Sequence, residues 1–359
     1  MNTSTVPQIL RTTLLLANVI MAGFLMIYLE SLLKPFVLAI LLTLALIPVC
    51  AFLEQKGFSR STATFLSLFF TLIVLLLIFF VFFQQGSRIA QDWPVLEKQL
   101  EWKMGGLNEG IKDLSGLDIR HDPEMLKSMS DMGKNLLSGL FSSLSNLAGL
   151  LLSLFYVAFM LLYRGGFRKF LMMRTTSDNQ AKMETTINAS KLVIQQYFKG
   201  WTTVMLIVST LNTIGLWIIG VDYPIMFGFL AGLLSIIPVF GILIGGGLAT
   251  IYAWLTHDDT LVPIFTIGVF WIVQLLEGYV LTPKITGSSV NINPLMSTIG
   301  VLVGSWIWGP MGMIMSIPVM AIAKVILDNW TGYQPYGFLL GEQLGAIAPK
   351  RSKRKKAAK

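Results

Sequence analysis

Apolar and polar positions fall along this chain in long blocks. Runs of about 20 apolar residues, the length that crosses a bilayer core, lie at Thr12–Leu29, Leu32–Leu53, Ala63–Phe83, Leu136–Tyr163 and Trp201–Ile219. Another covers Leu261–Thr282. Two more, Pro224–Leu255 and Asn293–Ile326, are too long for one plain crossing. The pattern predicts an all-α, polytopic helical membrane protein with about eight membrane segments, two of them broken or re-entrant. The first run follows Arg11, where a signal sequence would sit. No small-residue cleavage site follows it, so it reads as an uncleaved span. In the polar block Gln84–Asn135, Trp93, Leu96, Leu100, Leu107, Ile111 and Leu114 recur at helical spacing, and Met125, Met129 and Met132 continue the stripe. This predicts an amphipathic helical insertion.

The blocks divide the chain into six parts. Residues 1–83 hold N-terminal membrane segments, 84–135 an extracytoplasmic insertion, and 136–163 a membrane segment. Residues 164–200 form a cytoplasmic basic segment and 201–327 a C-terminal core with the broken segments. Residues 328–359 form a cytoplasmic tail, basic and disordered at its end by composition.

Composition strengthens the membrane reading. Hydrophobic residues make up 54% and charged residues 13%, against roughly 25% charged in ordinary globular domains. The net charge of +8 would suggest nucleic acid, but seven of the 27 basic residues lie in Lys350–Lys359. Without those seven, 20 basic residues face 19 acidic ones. The tail can bind anionic lipid or act as a topology anchor, and it lacks the aromatic interleaving of a nucleic-acid binder. Position turns charge into orientation. Gln84–Asn135 carries seven basic and nine acidic residues, whereas Arg164–Gly200 carries seven basic and two acidic. Lys and Arg collect in cytoplasmic loops, so the second segment, the tail and both termini fall inside, and the first segment outside.

Two topologies fit. Eight spans result if Pro224–Leu255 and Asn293–Ile326 each cross, and six if each is a re-entrant hairpin. The stretches PIMFGFLAGLLSIIPV from Pro224 and PLMSTIGVLVGSWIWGP from Pro294 share an opening Pro-aliphatic-Met and a second proline near a glycine. They read either as inverted relatives, as in many transporters, or as a chance match of membrane composition.

Enzymatic templates are missing. There is no G-x-x-x-x-G-K-[ST] phosphate loop, no H-E-x-x-H and no G-x-S-x-G, so the chain reads as neither an enzyme nor an ATP-driven pump. One cysteine, Cys50, and two histidines give no disulfide framework and no His/Cys zinc site. No cofactor is expected. Gly245-Gly246-Gly247 suits close helix packing. His257, Asp258 and Asp259 read as a solvated turn rather than a metal site, and Lys324 as a side chain that snorkels.

The chemistry concentrates in the last third. SIIPVFG carries Ser235, Pro238 and Gly241, and SWIWGPMGMIMSIPV carries Pro310 and Gly312. Proline removes an amide donor and frees carbonyls. In lipid those groups persist only when buried in protein or lining a wet cavity. Each break is therefore either a solute contact or a kink repaired by neighbouring helices. Glu277 is the only acidic residue well inside a late span. It is either a binding or titrating group or a structural contact near the interface.

LLEGYVLTPKITGSSVNINPLM (Leu275–Met296), followed by GSWIWGPMGMIMSIPV, resembles the signature of the autoinducer-2 exporter (AI-2E) family of bacterial membrane proteins. GVDYPIMFGFLAGLLSIIPVFGILIG (Gly220–Gly245) is similar to the block before it. The resemblance covers nearly the whole chain, most specifically its C-terminal half. It implies a bacterial inner-membrane exporter that works without ATP hydrolysis, moves small polar molecules such as autoinducer-2, and assembles as a homo-oligomer, a pentamer. It marks Glu277, Pro238, Gly241, Pro283, Gly287, Asn291 and Pro294 as candidate pathway residues. Ser235, Thr286, Asn293, Pro310 and Gly312 join them from the broken segments and the polar loop. One departure stands out: where the family often has Gly-Gln, this chain has Gly200-Trp201.

The expected function is secondary or facilitated transport of a small polar solute. One alternative is monovalent cation (Na+)/proton antiport with Glu277 titrating. Another is a non-transporting membrane scaffold that offers Gln84–Asn135 to a partner.

Overall fold

The computed structural model describes residues 8–115, 128, 131, 135, 147–237, 241–286 and 291–342. Pro238, Gly287, the end of the insertion and the basic tail, all named above, lie outside these residues. The described residues are almost wholly helical: α1 (Gln8–Tyr28), α2 (Glu30–Gln55), α3 (Arg60–Ser115), α4 (Leu147–Leu162), α5 (Arg164–Met173), α6 (Gln180–Ile219), α7 (Pro224–Leu234), α8 (Gly247–Thr256), α9 (Leu261–Leu276), α10 (Pro294–Asn329) and α11 (Gln334–Leu340). Wider π-type turns occupy Gly241–Gly246 and Glu277–Thr286. Among the described residues five helices are long and apolar enough to cross a membrane, and the bent pair α4–α5 would make a sixth. Residues 224–256, one of the eight expected segments, are built from short arms.

The chain forms two compact units. One comprises Met1–Ala45, Phe159–Tyr197 and Ser288–Lys359, and the other Leu46–Ala158 and Phe198–Gly287.

In the second unit, residues 224–256 fold back on themselves. At about 1.5 Å per residue, the 11 residues of α7 span about 16 Å, half of a bilayer core. The chain then turns and returns along itself. A Cβ on Gly241 would stand 2.6 Å from the Ala231 carbonyl oxygen, and one on Gly245 2.6 Å from the Ala231 Cα. The return arm ends where the first began, with His257 Nε2 3.3 Å from the Gly220 carbonyl oxygen. Of the two topologies open to the sequence, this closure matches the hairpin. Gly228 and Gly232, four apart on one face, seat α7 on α6. Their Cβ atoms would come within 2.6 Å of the Thr213 amide nitrogen and 2.7 Å of the Met205 carbonyl oxygen. Small residues at this spacing let helix backbones meet in lipid. The glycine triplet behaves as expected at two positions: Gly245 meets Ala231 and Gly246 meets the Phe270 ring, while nothing lies near Gly247.

Helix α3 runs unbroken from the apolar block into the polar one, through Pro94. The described part of its predicted stripe is used internally. Ile89, Leu96 and Leu100 are buried with Phe227, Leu230 and Tyr252 of the hairpin, and Trp93 packs at their edge. Polar side chains of α3 fasten the base. The Met226 amide donates to Gln85 Oε1 at 3.1 Å, filling one of the donors left open at a helix start. Tyr223 donates to Asp92 at 3.4 Å; partial burial and this carboxylate push its phenol up from its ordinary value. Lys103 donates to the carbonyls of Trp254, at 2.6 Å, and of His257, a cation on the C-terminal end of α8. Asp259 turns back to accept from the Leu261 amide at 2.9 Å.

In the first unit, α10 is itself a hairpin. Trp308 (φ −133°) and Gly309 (φ 62°, ψ −144°) leave helical geometry, and only glycine takes the second conformation readily. Pro310 then starts the return arm. The arms touch through glycine: a Cβ on Gly304 would lie 2.8 Å from the Gly312 carbonyl carbon, and one on Gly300 would overlap Met320. Trp308 Nε1 donates to the Met26 carbonyl of α1 at 2.9 Å. Asn293 fixes the start of the hairpin. Its Oδ1 accepts from the Met296 amide at 2.9 Å, an N-cap, and Pro294 follows at the first helical position, where proline costs least. Its Nδ2 donates to the carbonyls of Leu339 (2.8 Å) and Gly341 (3.2 Å), tying α11 back to α10. The Asn293→Ala variant is expected to lose about 2 kcal/mol from the cap and these bonds, read as a lower thermal midpoint of the purified protein. Lys324 is half-buried and pairs with Asp328 one turn on.

Candidate functional site

The second unit holds a small, partly open cavity with room for about one water molecule. It is lined by Val208, Asn212, Ala231, Gly241, Ile242, Phe270, Val273, Gln274 and Glu277. Each wall has a local cause. Asn212 comes from α6, where Gly228 and Gly232 bring α7 so close that Ala231 forms the next wall. Gly241 and Ile242 begin the π-type turn of the return arm. Gln274 and Glu277, three apart, share one face of α9, and Glu277 opens the second π-type turn. Pro283 inside that turn cannot donate an amide hydrogen, and its ring crowds the turn before it. Both wide turns therefore meet the cavity, and wide turns inside helices concentrate at functional sites.

The electrostatics are those of an apolar slot with a few oxygens. Val208, Phe270 and Val273 are buried. Asn212 is only 2% exposed, and its Oδ1 has no hydrogen-bond partner. Ser209, one turn from Met205 on the same helix, also has a buried hydroxyl without a partner. Buried polar atoms are almost always paired, and leaving one unpaired costs about 1–3 kcal/mol. An acceptor of this kind on a cavity wall suits a guest that donates a hydrogen bond. Among the described residues no three His, Cys, Asp or Glu side chains come together. The cavity thus offers one carboxylate and two amides.

The candidates from the sequence divide between the two units. Gly241 and Glu277 line the cavity. Ser235 sits at the end of α7 and donates to the Gly232 carbonyl at 2.8 Å. Pro283 is exposed on the turn that Glu277 opens, and Thr286 ends that turn. Asn291, Asn293, Pro294, Pro310 and Gly312 belong to the other unit. There Asn291 is exposed with φ 49°, and Asn293 spends its amide on holding the fold. Sequence reasoning missed Asn212 and Gln274. A signal existed for each: Asn212 is the one amide in the apolar run Trp201–Ile219, and Gln274 lies one helical turn before Glu277.

Comparison with known proteins agrees with this architecture. The chain is 23% identical to the AI-2 transport protein TqsA of Escherichia coli over 337 residues, covering 90% of this chain and 95% of that one. It is 23% identical to YrrI of Bacillus subtilis over 313 residues, covering 82% and 86% of the two chains. It is 24% identical to YhhT of Escherichia coli, also over 313 residues, covering 85% and 86%. The family described as AI-2E family transporter matches residues 14–332. With several helices able to cross a bilayer and a match over nearly its whole length, the chain is a multi-pass membrane protein that belongs to the AI-2E transporter family.

Proposed function

We propose that the protein carries a small polar solute across the bacterial cytoplasmic membrane by secondary or facilitated transport, without ATP hydrolysis, and that the solute passes through the cavity at Asn212, Gln274 and Glu277. The observation that carries this reading is the unpaired, buried oxygen of Asn212, a residue of the cavity wall. The name of TqsA makes autoinducer-2 the first solute to try, and export is the proposed direction. Both termini lie in the cytoplasm, and the protein works as a homo-oligomer, a pentamer. Purified protein in liposomes is expected to accelerate autoinducer-2 equilibration over protein-free liposomes. Equal rates would remove autoinducer-2 as the solute.

A second reading is Na+/proton exchange. It is favoured by Glu277 on the cavity wall, the kind of intramembrane carboxylate that takes up and releases protons. Sodium-dependent proton flux in the same liposomes, lost in Glu277→Gln, would support it; flux unchanged by that substitution would end this mechanism. The scaffold reading has less support, since Ile89, Leu96 and Leu100 of the stripe are spent on the protein's own hairpin.

A further inference from the structure

Helix α4 leaves the membrane block through a sharp bend. Between Leu151–Leu162 and Arg164–Met173 the axis turns by 64°. A bend of that size, where it adds to an ordinary crossing tilt of about 20°, brings the helix close to the membrane plane.

The exposed apolar stripe does not stop at the bend. Leu151, Phe155 and Phe159 are exposed along α4, four residues apart, and Tyr163, Phe167 and Phe170 continue the line along α5. The Phe159 and Tyr163 rings stack across the bend at 6.1 Å. None of the residues of α5 is buried. A stripe exposed along α4 thus runs without interruption onto the bent helix α5.

Charge changes where direction changes. Leu147–Leu162 carries none, whereas Arg164, Arg168, Lys169 and Arg174 follow at once. At 100° per residue, Arg164, Arg168 and Lys169 fall on the flanks and back of α5, away from Tyr163, Phe167 and Phe170, while Arg174 closes the helix on the aromatic line. Arg168 pairs with Glu184, which anchors the back of the helix to α6. Aromatic residues on one face and basic residues around the other is the build of a helix that lies in a lipid headgroup layer.

We propose that α5 is an interfacial anchor that lies in the cytoplasmic leaflet, with Phe167 and Phe170 in the lipid and its basic residues on anionic phospholipid headgroups. This does not depend on what the protein transports. A cytoplasmic leaflet is anionic and attracts each nearby basic residue by about fivefold in binding. The anchor would hold the start of the Arg164–Gly200 segment at the surface while the helices beside it move.

The test uses full-length protein in a Cys50→Ala background, with a spin label on Phe167→Cys or Lys169→Cys. The protein is reconstituted in phosphatidylcholine vesicles with or without phosphatidylglycerol. The label at 167 is expected to be open to oxygen and shielded from a water-soluble nickel chelate, with the opposite at 169. Adding phosphatidylglycerol is expected to move the 167 label deeper, and Arg164→Gln with Lys169→Gln to reduce that response several-fold. Nickel access at both positions would overturn the proposal. So would a 167 label shielded from both reagents, the sign of a protein surface such as a second copy. A depth that ignores phosphatidylglycerol would overturn the headgroup part. Because two positions on one helix are compared, a misfolded variant shows itself by losing the difference between them.

Discussion

Transport by the Asn212→Leu variant is expected to fall about tenfold to a hundredfold, while the protein becomes no less stable than the wild type. The two halves of this expectation have one cause. Asn212 Oδ1 is buried without a partner, a state that costs about 1–3 kcal/mol, and an apolar group of similar shape removes that cost. A hydrogen bond from a bound solute to the same oxygen is worth about the same amount. Deleting it raises the transport barrier by that much, about a factor of ten per 1.4 kcal/mol. A residue kept for packing would behave otherwise: its loss would lower stability and transport together. Solute flux in liposomes and the thermal midpoint of the purified protein, measured on one preparation, separate the two cases.

The second large effect concerns the fold. Gly312→Val is expected to cost about 3 kcal/mol or more, enough to abolish most folded protein. A Cβ at Gly312 would overlap the Gly304 carbonyl and stand 2.7 Å from its carbon. The neighbour is backbone, so it cannot swing aside as a flexible side chain would. Overpacking a close contact typically costs about 1–3 kcal/mol, more where nothing can yield. Gly247→Val is the control, since its Cβ would meet nothing within 4 Å. Yield and thermal midpoint in detergent should fall sharply for the first and little for the second. Equal loss in both would mean that the arms of α10 do not cross at Gly304 and Gly312.

Where the chain was legible, short-range physics had written the answer. The stripe through Leu96 and Leu100 announced a helix with one buried face, because burial repeats with the helical turn. Pro310 announced the break in α10, because proline removes an amide donor and crowds the turn before it. Glu277 stood out because a carboxylate in an apolar run needs a reason.

What stayed hidden depended on contacts between distant residues. Asn212 looked like any polar residue in a membrane helix until Gly228 and Gly232 brought α7 against it and left its oxygen alone. Gln85 and Lys103 looked like solvated members of a polar block. Their use as caps on the hairpin rests on partners 141 and 151 residues away. Asn293 was read as a pathway candidate from the polar loop; that its Nδ2 also ties the start of α10 to Leu339 and Gly341 rests on partners 46 and 48 residues away. The bend after α4 has no proline to mark it.

The central claim is that the solute sits at the Asn212–Glu277 cavity. Solute protection of a thiol placed there tests it most directly. In a Cys50→Ala background, Val208→Cys puts a thiol on the cavity wall without touching Asn212, Gln274 or Glu277. Its alkylation by iodoacetamide is to be timed in liposomes with increasing autoinducer-2, or with sodium under the second reading. Alkylation is expected to slow over the same solute range that saturates flux. Alkylation that proceeds at one rate while flux saturates would contradict the claim.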